Sequence, residues 1–253
     1  MHAAPPPSPG APIPRDPAAL SSKLETTAHD LGAAVDRWQA PRTGRVPRDV
    51  TLYALYQQRI VILLSEKRRL ATLVLKRIPD PRPLRSELFA RRELGRLSRP
   101  RPRSAFRTGP AAPADRLRSY YLEAQRRFRV AWNVLAAVNY VESAYNKLRN
   151  SSTAGAQGPM QFIPSTWRRY GLGGNVHDPH DAILGAANYL HANGAPGNYR
   201  RALYRYNPSW LYVDAVLRYA GRIRADPHAY YVLYSRQVFV RTPQGLVRLT
   251  GPR

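Results

Sequence analysis

The 253-residue sequence contains no cysteine, no long apolar segment and no visible secretory signal. Without cysteine there is no disulfide framework, no zinc–thiolate site and no thiol nucleophile. Apolar runs are short, as at Ile60–Leu64, so no segment has the length that a transmembrane helix needs. The N-terminus has no basic start followed by an apolar stretch, and no secretory signal is visible there.

Acidic residues are scarce relative to basic ones. Asp and Glu number 16 against 40 Lys and Arg, which gives a formal net charge of +24. Both halves of the chain are basic, so no single tail accounts for the charge. Such a field attracts polyanions, including nucleic acid, an anionic cell wall or an acidic membrane surface. An arginine-rich composition can equally reflect genome composition, so charge alone identifies no partner. No RNA- or DNA-binding signature accompanies it, and no nucleic acid is expected as a partner.

Proline content and the periodicity of apolar residues divide the chain into four segments. Proline removes a backbone donor and breaks helices, so dense proline indicates a leader or a linker. From about residue 114 aromatics and alanines become more frequent, which indicates a packed domain. The predicted segments are a disordered Pro-rich leader at 1–16, a helical hairpin at 17–78, a Pro/Arg-rich linker at 79–113, and the main domain with a short C-terminal β extension at 114–253.

Helices dominate the predicted secondary structure, so the fold class is mainly α. Apolar residues three, four or seven apart predict a helix that begins at Pro17 and a second over about Asp49–Ile78. A short connection between them predicts an antiparallel hairpin. The linker has room for one short helix near Leu84–Leu97. Helical patterns resume over about 115–223, and the alternating tail predicts a small β-hairpin that turns at Pro243–Gly245.

One acidic residue follows a buried stripe in the segment VAWNVLAAVNYVESAYN. Val134, Val138 and Val141 are expected to face the core, and Glu142 comes directly after them. Apolar surroundings disfavour the charged form of a carboxylate, raise its pKa and let it hold a proton at neutral pH. Glu142 is therefore a candidate general acid. The alternative is a Glu at a helix end that is solvated or paired with an arginine.

The segment SSTAGAQGPMQFIPSTWRRYG combines glycines with groups that can bind a ligand. Gly155 and Gly158 allow tight turns and a close approach of the backbone to a ligand. Gln161 offers both a donor and an acceptor. Phe162 and Trp167 could supply flat apolar faces, or could be core residues at helical spacing. The core interpretation is preferred for Ile163 and Trp167.

Four short motifs follow one another along the chain. They are Glu142-Ser143, Gly-Pro-Met-Gln-Phe at Gly158–Phe162, Ala-Ala-Asn-Tyr-Leu at Ala186–Leu190, and Tyr206-Asn207. These motifs, in this order, resemble those of the lytic transglycosylases, a superfamily that also includes the goose-type lysozymes. The resemblance covers about 118–223, which is under half of the chain. The Gln-Phe-Ile-Pro continuation of the second motif is similar to the membrane-bound type B branch and its actinobacterial-like relatives.

The resemblance implies a lysozyme-like helical catalytic domain that acts on peptidoglycan without a cofactor. It makes Glu142 the sole catalytic acid/base. The serine that helps to place the N-acetyl group of the substrate corresponds to Ser152. The remaining residues implied to line the substrate cleft are Gln161, Phe162, Tyr189, Tyr206 and Asn207.

The loop GLGGNVHDPHD before the third motif is a weak candidate for a metal site. Asp178 and Asp181 provide too few hard oxygen ligands for calcium, and no metal is expected. His177 and His180 could be read as ligands, but a structural role is preferred. Asp178 or Asp181 is expected to cap the following helix, with Pro179 at its start.

The resemblance therefore implies a lyase that cleaves the MurNAc-β-1,4-GlcNAc bond and leaves a 1,6-anhydromuramoyl end. None of the other five carboxylates after residue 115 has a context that suggests a second catalytic group. The alternatives are a muramidase that hydrolyses the same bond, or a non-catalytic basic cell-wall-binding protein. The expected partners are peptidoglycan glycan strands, with anionic wall polymers as a further candidate. The expected location is extracytoplasmic and associated with the cell wall.

Overall fold

The computed structural model describes residues 5–40, 44–150, 152 and 154–252, which are mainly helical. Eleven α-helices and one two-stranded antiparallel sheet form in this part of the chain. The predicted fold class, mainly α with a small C-terminal β-hairpin, is confirmed. The helices are α1 Pro17–Gln39, α2 Arg48–Glu66, α3 Arg68–Leu75, α4 Arg82–Leu97, α5 Ala114–Phe128, α6 Trp132–Ser143, α7 Pro164–Tyr170, α8 Pro179–Ala192, α9 Tyr199–Tyr206, α10 Trp210–Ala225 and α11 His228–Ser235, and the strands are β1 Phe239–Thr242 and β2 Gly245–Arg248.

The two N-terminal helices pack against each other, as the predicted hairpin requires. Helix α1 begins at Pro17, where it was predicted to begin, because Asp16 accepts hydrogen bonds from the first free amides. The long helix predicted over Asp49–Ile78 is instead two helices, α2 and α3, with a break at Lys67. Lys67 has φ −102° and ψ 81°, outside the helical region. No glycine or proline marks this break, so the apolar pattern alone could not show it.

The residues before α1 lie on the surface of α2 instead of extending freely. The hydroxyl of Tyr56 donates to the carbonyl of Pro12 over 2.8 Å, and Arg59 donates to the carbonyl of Ala11 over 2.8 Å. Ala11 and Ile13 also pack against a small apolar core that α1 to α4 share. The described part of the predicted disordered leader, residues 5–16, is therefore held by side chains of α2. Residues 1–4 lie outside the described part.

The predicted linker at 79–113 contains a 16-residue helix, α4. Three of the prolines that suggested a linker, Pro79, Pro81 and Pro83, lie at or just before its start, where a missing N–H is tolerated, and the others follow the helix. Helix α4 packs on α10 and buries Leu88 and Ala90. Its buried Glu87 forms ion pairs with Arg222 of α10 and with Arg236 just after α11. The segment is thus part of the packed structure.

The largest apolar core continues across the boundary predicted at residue 114. Trp38 of α1 and Tyr53 of α2 belong to the same cluster as Tyr121, Leu135 and other buried residues of the main domain. Trp38 meets the ring of Tyr231 edge-on, with 5.5 Å between ring centroids. The N-terminal helices therefore cover apolar surface that the remaining residues would otherwise expose to water.

The C-terminal tail differs in part from the prediction. Its first residues form helix α11, because Tyr230, Leu233 and Tyr234 are buried at helical spacing. The hairpin follows, with Thr242 opposite Gly245, so the turn lies where it was predicted. No helix in the described part of the chain is long and apolar enough to cross a membrane.

Candidate active site

Helix α6 brings Glu142 to the edge of the core. Residues from Asn133 to Asn139 are all buried, and Glu142 is partly buried in the last turn. The helix ends at Ala144, which has φ 49°, and Tyr145 and Asn146 follow with φ of 62° and 66°. Three successive non-glycine residues in the left-handed region are rare, and they persist only where surrounding contacts hold them.

A buried hydrogen-bond network holds the end of α6 against the second motif. The side-chain amide of Asn139 and the hydroxyl of Ser143 both donate to the carbonyl of Pro159, over 2.8 and 2.7 Å. The hydroxyl of Tyr121 donates to the amide oxygen of Asn139 over 2.6 Å. The position of Glu142 relative to the second motif is therefore fixed by three buried side chains.

Glu142 has the electrostatics of a proton donor at neutral pH. Burial raises the pKa of Glu142 to about 7, although a hydrogen bond from Tyr212 lowers it in part. The Tyr212 hydroxyl lies 2.7 Å from Oε1 of Glu142. No ion pair found among the described residues includes Glu142, so the alternative of a Glu paired with an arginine finds no support there. Near pH 7 such a group can give up a proton and take one back.

Sequence reasoning missed Tyr212, the hydrogen-bond partner of Glu142. It lies 70 residues beyond Glu142, in the first turn of α10, and its ring is buried. The only sequence signal is its place on the apolar face of α10 with Val216 and Tyr219, shortly after the fourth motif. That signal equally describes an ordinary core tyrosine.

We expect Tyr212→Phe to move the pH dependence of cleavage upward. The lost hydrogen bond stabilises the carboxylate, so its removal raises the pKa of Glu142 further above 7. The fall in kcat at high pH should therefore begin at a higher pH, and kcat below pH 7 should drop because Glu142 is less well oriented. The measurement is a pH–kcat profile, with Tyr206→Phe as the control. A profile for Tyr212→Phe with the same midpoint as the control would remove the proposed positioning role.

The second motif forms a tight turn beside Glu142. Gln157 and Phe162 pair as an isolated antiparallel bridge, and the amide of Gln161 donates to the carbonyl of Gly158 over 3.1 Å. Gln161 has φ 52°. Its side-chain NH₂ group donates to the carbonyls of Asn150 and Gly158 over 3.0 and 2.9 Å. The predicted ligand-binding amide is thus fixed in place by the backbone around it.

Gly158 is required by two separate constraints. Its φ is 73°, and a Cβ there would lie 1.9 Å from the carbonyl oxygen of Val176. Gly155 has a similar φ of 76° but open space around it. Substitutions at Gly155 and Gly158 can therefore be compared. Both place a side chain at positive φ, but only the one at Gly158 also causes a steric clash.

We expect Gly158→Ala to destabilise the protein and to lower kcat, and Gly155→Ala to do much less. The left-handed conformation costs about 1–2 kcal/mol in either variant. Only Gly158→Ala adds a clash with backbone, which must move the turn that carries Gln161. Thermal unfolding and turnover of both variants test this. Equal effects of the two substitutions would contradict the proposed close packing.

Two tyrosines of the later motifs lie beside this turn. The hydroxyl of Tyr206 donates to the carbonyl of Met160 over 2.6 Å, and its ring meets that of Tyr189 edge-on, 5.3 Å between centroids. The pKa of Tyr206 is raised well above 10 by burial and then by the charge of Glu142. The structure therefore brings the third and fourth motifs together with Glu142. The Tyr189 hydroxyl donates to the carbonyl of Arg205 over 2.6 Å.

Three other predicted site residues are Ser152, Phe162 and Asn207, which lie in different environments. The Ser152 side chain is exposed, and its hydroxyl accepts hydrogen bonds from the amides of Ala154 and Ala156. Phe162 is buried between the rings of Trp167 and Tyr206, so it presents no face to a ligand in this conformation. Asn207 ends α9 and is partly buried. The substrate-binding role of these residues stays a prediction.

The loop before α8 has the cap that was predicted. Asp178 accepts hydrogen bonds from the amides of His180 and Asp181 over 2.8 and 3.2 Å, so it is the N-cap of α8. The ring of His180 lies 3.0 Å from the carboxylate of Glu123. Ligand atoms of Asp178, His180 and Asp181 lie within 4.8 Å of one another at the start of α8. Their hydrogen bonds give these residues a structural role at the start of α8. The expectation that no metal binds here stays a prediction.

A cavity of about 1200 Å³ opens beside Glu142. Parts of its lining come from the end of α2, from α4, from the loop that follows α4 and from the β-hairpin, so segments outside the motif region complete it. Its carboxylates are Glu142 and Glu66, and sequence reasoning had not considered Glu66. We call its basic residues the arginine wall: Arg68, Arg91, Arg92, Arg96, Arg99, Arg101 and Arg241.

Comparison with known families places this site in a recognised domain. Residues 119–223 match the family described as "Transglycosylase SLT domain". The matched region is under half of the chain, and these residues are similar to that family. The match agrees with the predicted extent of the resemblance, and it contains Glu142 together with the second, third and fourth motifs. The N-terminal helices, α11 and the hairpin lie outside it.

Two curated proteins are similar to parts of the SLT-containing chain. "Membrane-bound lytic murein transglycosylase F" of Thiobacillus denitrificans (strain ATCC 25259 / T1) is 38% identical over 74 residues, 29% of this chain and 15% of that protein. "Membrane-bound lytic murein transglycosylase F 1" of Alkalilimnicola ehrlichii (strain ATCC BAA-1101 / DSM 17681 / MLHE-1) is 28% identical over 159 residues, 57% of this chain and 32% of that protein. The chain spans at most about a third of the length of these relatives. No solved structure matches it significantly. Neither name supports the predicted type B or actinobacterial-like branch, which stays a prediction.

Proposed function

We propose that this protein is a peptidoglycan lytic transglycosylase. It cleaves the MurNAc-β-1,4-GlcNAc bond and leaves a 1,6-anhydromuramoyl end. The observation that carries the proposal is Glu142, a partly buried carboxyl group with a pKa of about 7 at the edge of a large cavity. The SLT domain and the names of the two relatives support the same class of reaction.

A single carboxyl group can perform both proton transfers of this reaction. Protonated Glu142 gives its proton to the oxygen of the scissile glycosidic bond, and the C1–O bond breaks to release the GlcNAc hydroxyl. The muramoyl C6 hydroxyl then attacks C1, and its proton returns to the carboxylate of Glu142. No water is consumed, and the enzyme ends in its starting protonation state. Because the C6 hydroxyl belongs to the reacting sugar, its proximity replaces a second catalytic side chain.

Tyr212 stabilises the charged state of Glu142 in this scheme. The hydrogen bond that its hydroxyl donates stabilises the carboxylate after the first proton transfer, and it keeps the pKa of Glu142 from rising further with burial. A pKa near 7 is close to the operating pH, where a group is effective both as an acid and as a base.

Hydrolysis of the same bond is the second candidate, because Glu66 lies in the wall of the cavity that contains Glu142. A two-carboxylate hydrolase needs a second group about 5–9.5 Å from the acid to act as nucleophile or to activate water. Burial and the Tyr212 bond account for the pKa of Glu142, with no contribution from Glu66. The lyase is therefore preferred.

Muropeptides released from purified peptidoglycan distinguish the two candidates by mass. The proposal expects ends that lack one water relative to a reducing sugar, from the wild type and from Glu66→Gln alike. Loss of cleavage in Glu66→Gln with unchanged folding, together with reducing ends from the wild type, would favour the hydrolase. A protein that binds peptidoglycan but releases nothing would support the non-catalytic alternative.

The proposed partners are peptidoglycan glycan strands, with anionic wall polymers as a further candidate. Such strands lie outside the cytoplasm, so we propose an extracytoplasmic, wall-associated location. The names of the two relatives agree with such a location. The charge of +24 would favour adsorption to an anionic wall.

A further inference from the structure

The arginine wall concentrates positive charge next to Glu142. It has seven arginines, whereas the carboxylates that line the same cavity are Glu66 and Glu142. Arg96 is paired with Glu93 of its own helix. The other six make no ion pair with the residues that the structure describes. Unpaired like charges around one cavity repel one another, and an anionic ligand would relieve that repulsion.

Two of these arginines are held in fixed positions by the end of α2. Arg92 donates through Nε to the carbonyl of Ser65 over 3.1 Å and through Nη2 to the carbonyl of Leu64 over 3.2 Å. Arg91 donates through Nε to the hydroxyl of Ser65 over 3.2 Å. Burial and the nearby charge of Arg68 lower the pKa of Arg92. The remaining N–H groups of such a guanidinium are pre-oriented, which favours bidentate binding of a planar anion.

The other side of the wall is held by the hairpin. The amide of Arg101 donates to the carbonyl of Arg241 in β1 over 3.1 Å, so these two residues are neighbours. The guanidinium of Arg101 lies over the ring of Phe106, 5.6 Å from its centroid. Elements separated by more than a hundred residues thus place arginines around one cavity.

We propose that the arginine wall binds free carboxylates of the peptide stems on the glycan strand and so places a stem-bearing strand across Glu142. This inference rests on the proposed function. A carboxylate is planar and matches the guanidinium fork. The stem leaves the muramoyl ring through its lactyl group and keeps the C6 hydroxyl free for ring closure. A phosphodiester-linked polymer on that C6 oxygen would remove the nucleophile, which disfavours phosphate at the reacting sugar.

The test compares two substrates and two double variants. Peptidoglycan is first freed of phosphate polymers with hydrofluoric acid, and one half is then amidated with carbodiimide and ammonia, which converts carboxylates to neutral amides. Arg99→Gln with Arg241→Gln removes two exposed wall arginines. Arg116→Gln with Arg126→Gln removes the same charge from the exposed surface of α5 and is the matched control.

Two lost charge-assisted contacts should raise the apparent KM of the wall variant about tenfold or more on unmodified substrate. Amidation should raise the KM of the wild type and of the control similarly, and change that of the wall variant little. The inference would be overturned if Arg99→Gln with Arg241→Gln had the same KM as the control variant. It would also be overturned if amidation left the KM of the wild type unchanged. As a further comparison, both double variants are assayed on peptidoglycan that was not treated with hydrofluoric acid. A higher KM of Arg99→Gln with Arg241→Gln on that substrate alone would also overturn the inference.

A binding measurement separates this inference from the proposed function. Pelleting of Glu142→Gln protein with the two substrates measures binding without cleavage. The inference predicts that this protein binds unmodified substrate more strongly than amidated substrate. It also predicts that the difference disappears when Arg99→Gln and Arg241→Gln are added. This result would support the inference even if no product forms. Absence of cleavage by the wild type would count against the proposed function alone.

Discussion

Glu142→Gln should lower the rate of peptidoglycan cleavage by about 10²–10⁴-fold, toward the upper end of that range. The amide has the shape of the carboxyl group but cannot give up a proton and take it back. No second catalytic side chain is proposed, so nothing remains to perform either proton transfer. The measurement is the initial rate of soluble muropeptide release at pH 6–7, set against binding to the same substrate.

Folding of this variant provides the control. The folded protein keeps a proton on Glu142 up to pH of about 7, whereas a carboxyl group with the ordinary pKa of 4.5 releases it earlier. Stability should therefore fall as pH rises between these values, and a neutral Gln removes that dependence. We expect Glu142→Gln to melt at or above the wild-type temperature at neutral pH. A variant that keeps more than a tenth of the wild-type rate would show that Glu142 is not the acid/base.

Glu87→Gln should lower the free energy of unfolding by about 3–5 kcal/mol. Burial alone would raise the pKa of Glu87, but the charges of Arg222 and Arg236 lower it to about 2. The substitution leaves Arg236, whose side chain is 3% exposed, without its negative partner. Because the ion pairs join α4 to α10 and to the end of α11, their loss should also loosen the wall of the cavity. Urea or thermal unfolding at pH 7 measures the effect.

The pH dependence and a surface ion pair act as controls for this prediction. Glu87 has a lowered pKa, so its contribution is present above the ordinary pKa of 4.5 and is lost as pH falls toward about 2. The difference in the free energy of unfolding between wild type and Glu87→Gln should therefore become smaller as pH falls over that range. Asp80→Asn removes the exposed Arg82–Asp80 pair at the start of α4 and should change stability far less than Glu87→Gln, because water and salt screen an exposed pair. If Glu87→Gln were as mild as Asp80→Asn, α4 would not be an integral part of the fold.

Local features were predicted well because their causes are local. Pro17 and Asp178 mark helix starts through proline placement and side-chain caps, and the structure has both. Gly158 was predicted to allow a tight turn, and its φ of 73° is in the left-handed region. The close approach that the structure shows there is to the carbonyl of Val176, and the approach to a ligand stays a prediction. The expected raised pKa of Glu142 follows from the apolar stripe before it and is present in the structure.

The features that the sequence could not predict depend on contacts between distant residues. Tyr212 meets Glu142 across 70 positions, and Glu87 meets Arg222 across 135. The sequence around each of these residues contains no pattern that indicates its contact partner. The prolines before α4 suggested a linker because proline at a helix start and proline in a loop look alike until packing is known. The arginine wall forms only because α3, α4, the loop after α4 and the hairpin meet around one cavity.

Cleavage in ¹⁸O-labelled water is the most direct test of single-carboxylate chemistry at Glu142. Purified peptidoglycan is digested in the labelled solvent, and the new muramoyl ends are examined by mass spectrometry. The account predicts anhydro ends without label, because the oxygen that closes the ring comes from C6 of the same sugar. Muramoyl ends that carry ¹⁸O and the mass of a full water would show hydrolysis and would contradict the account.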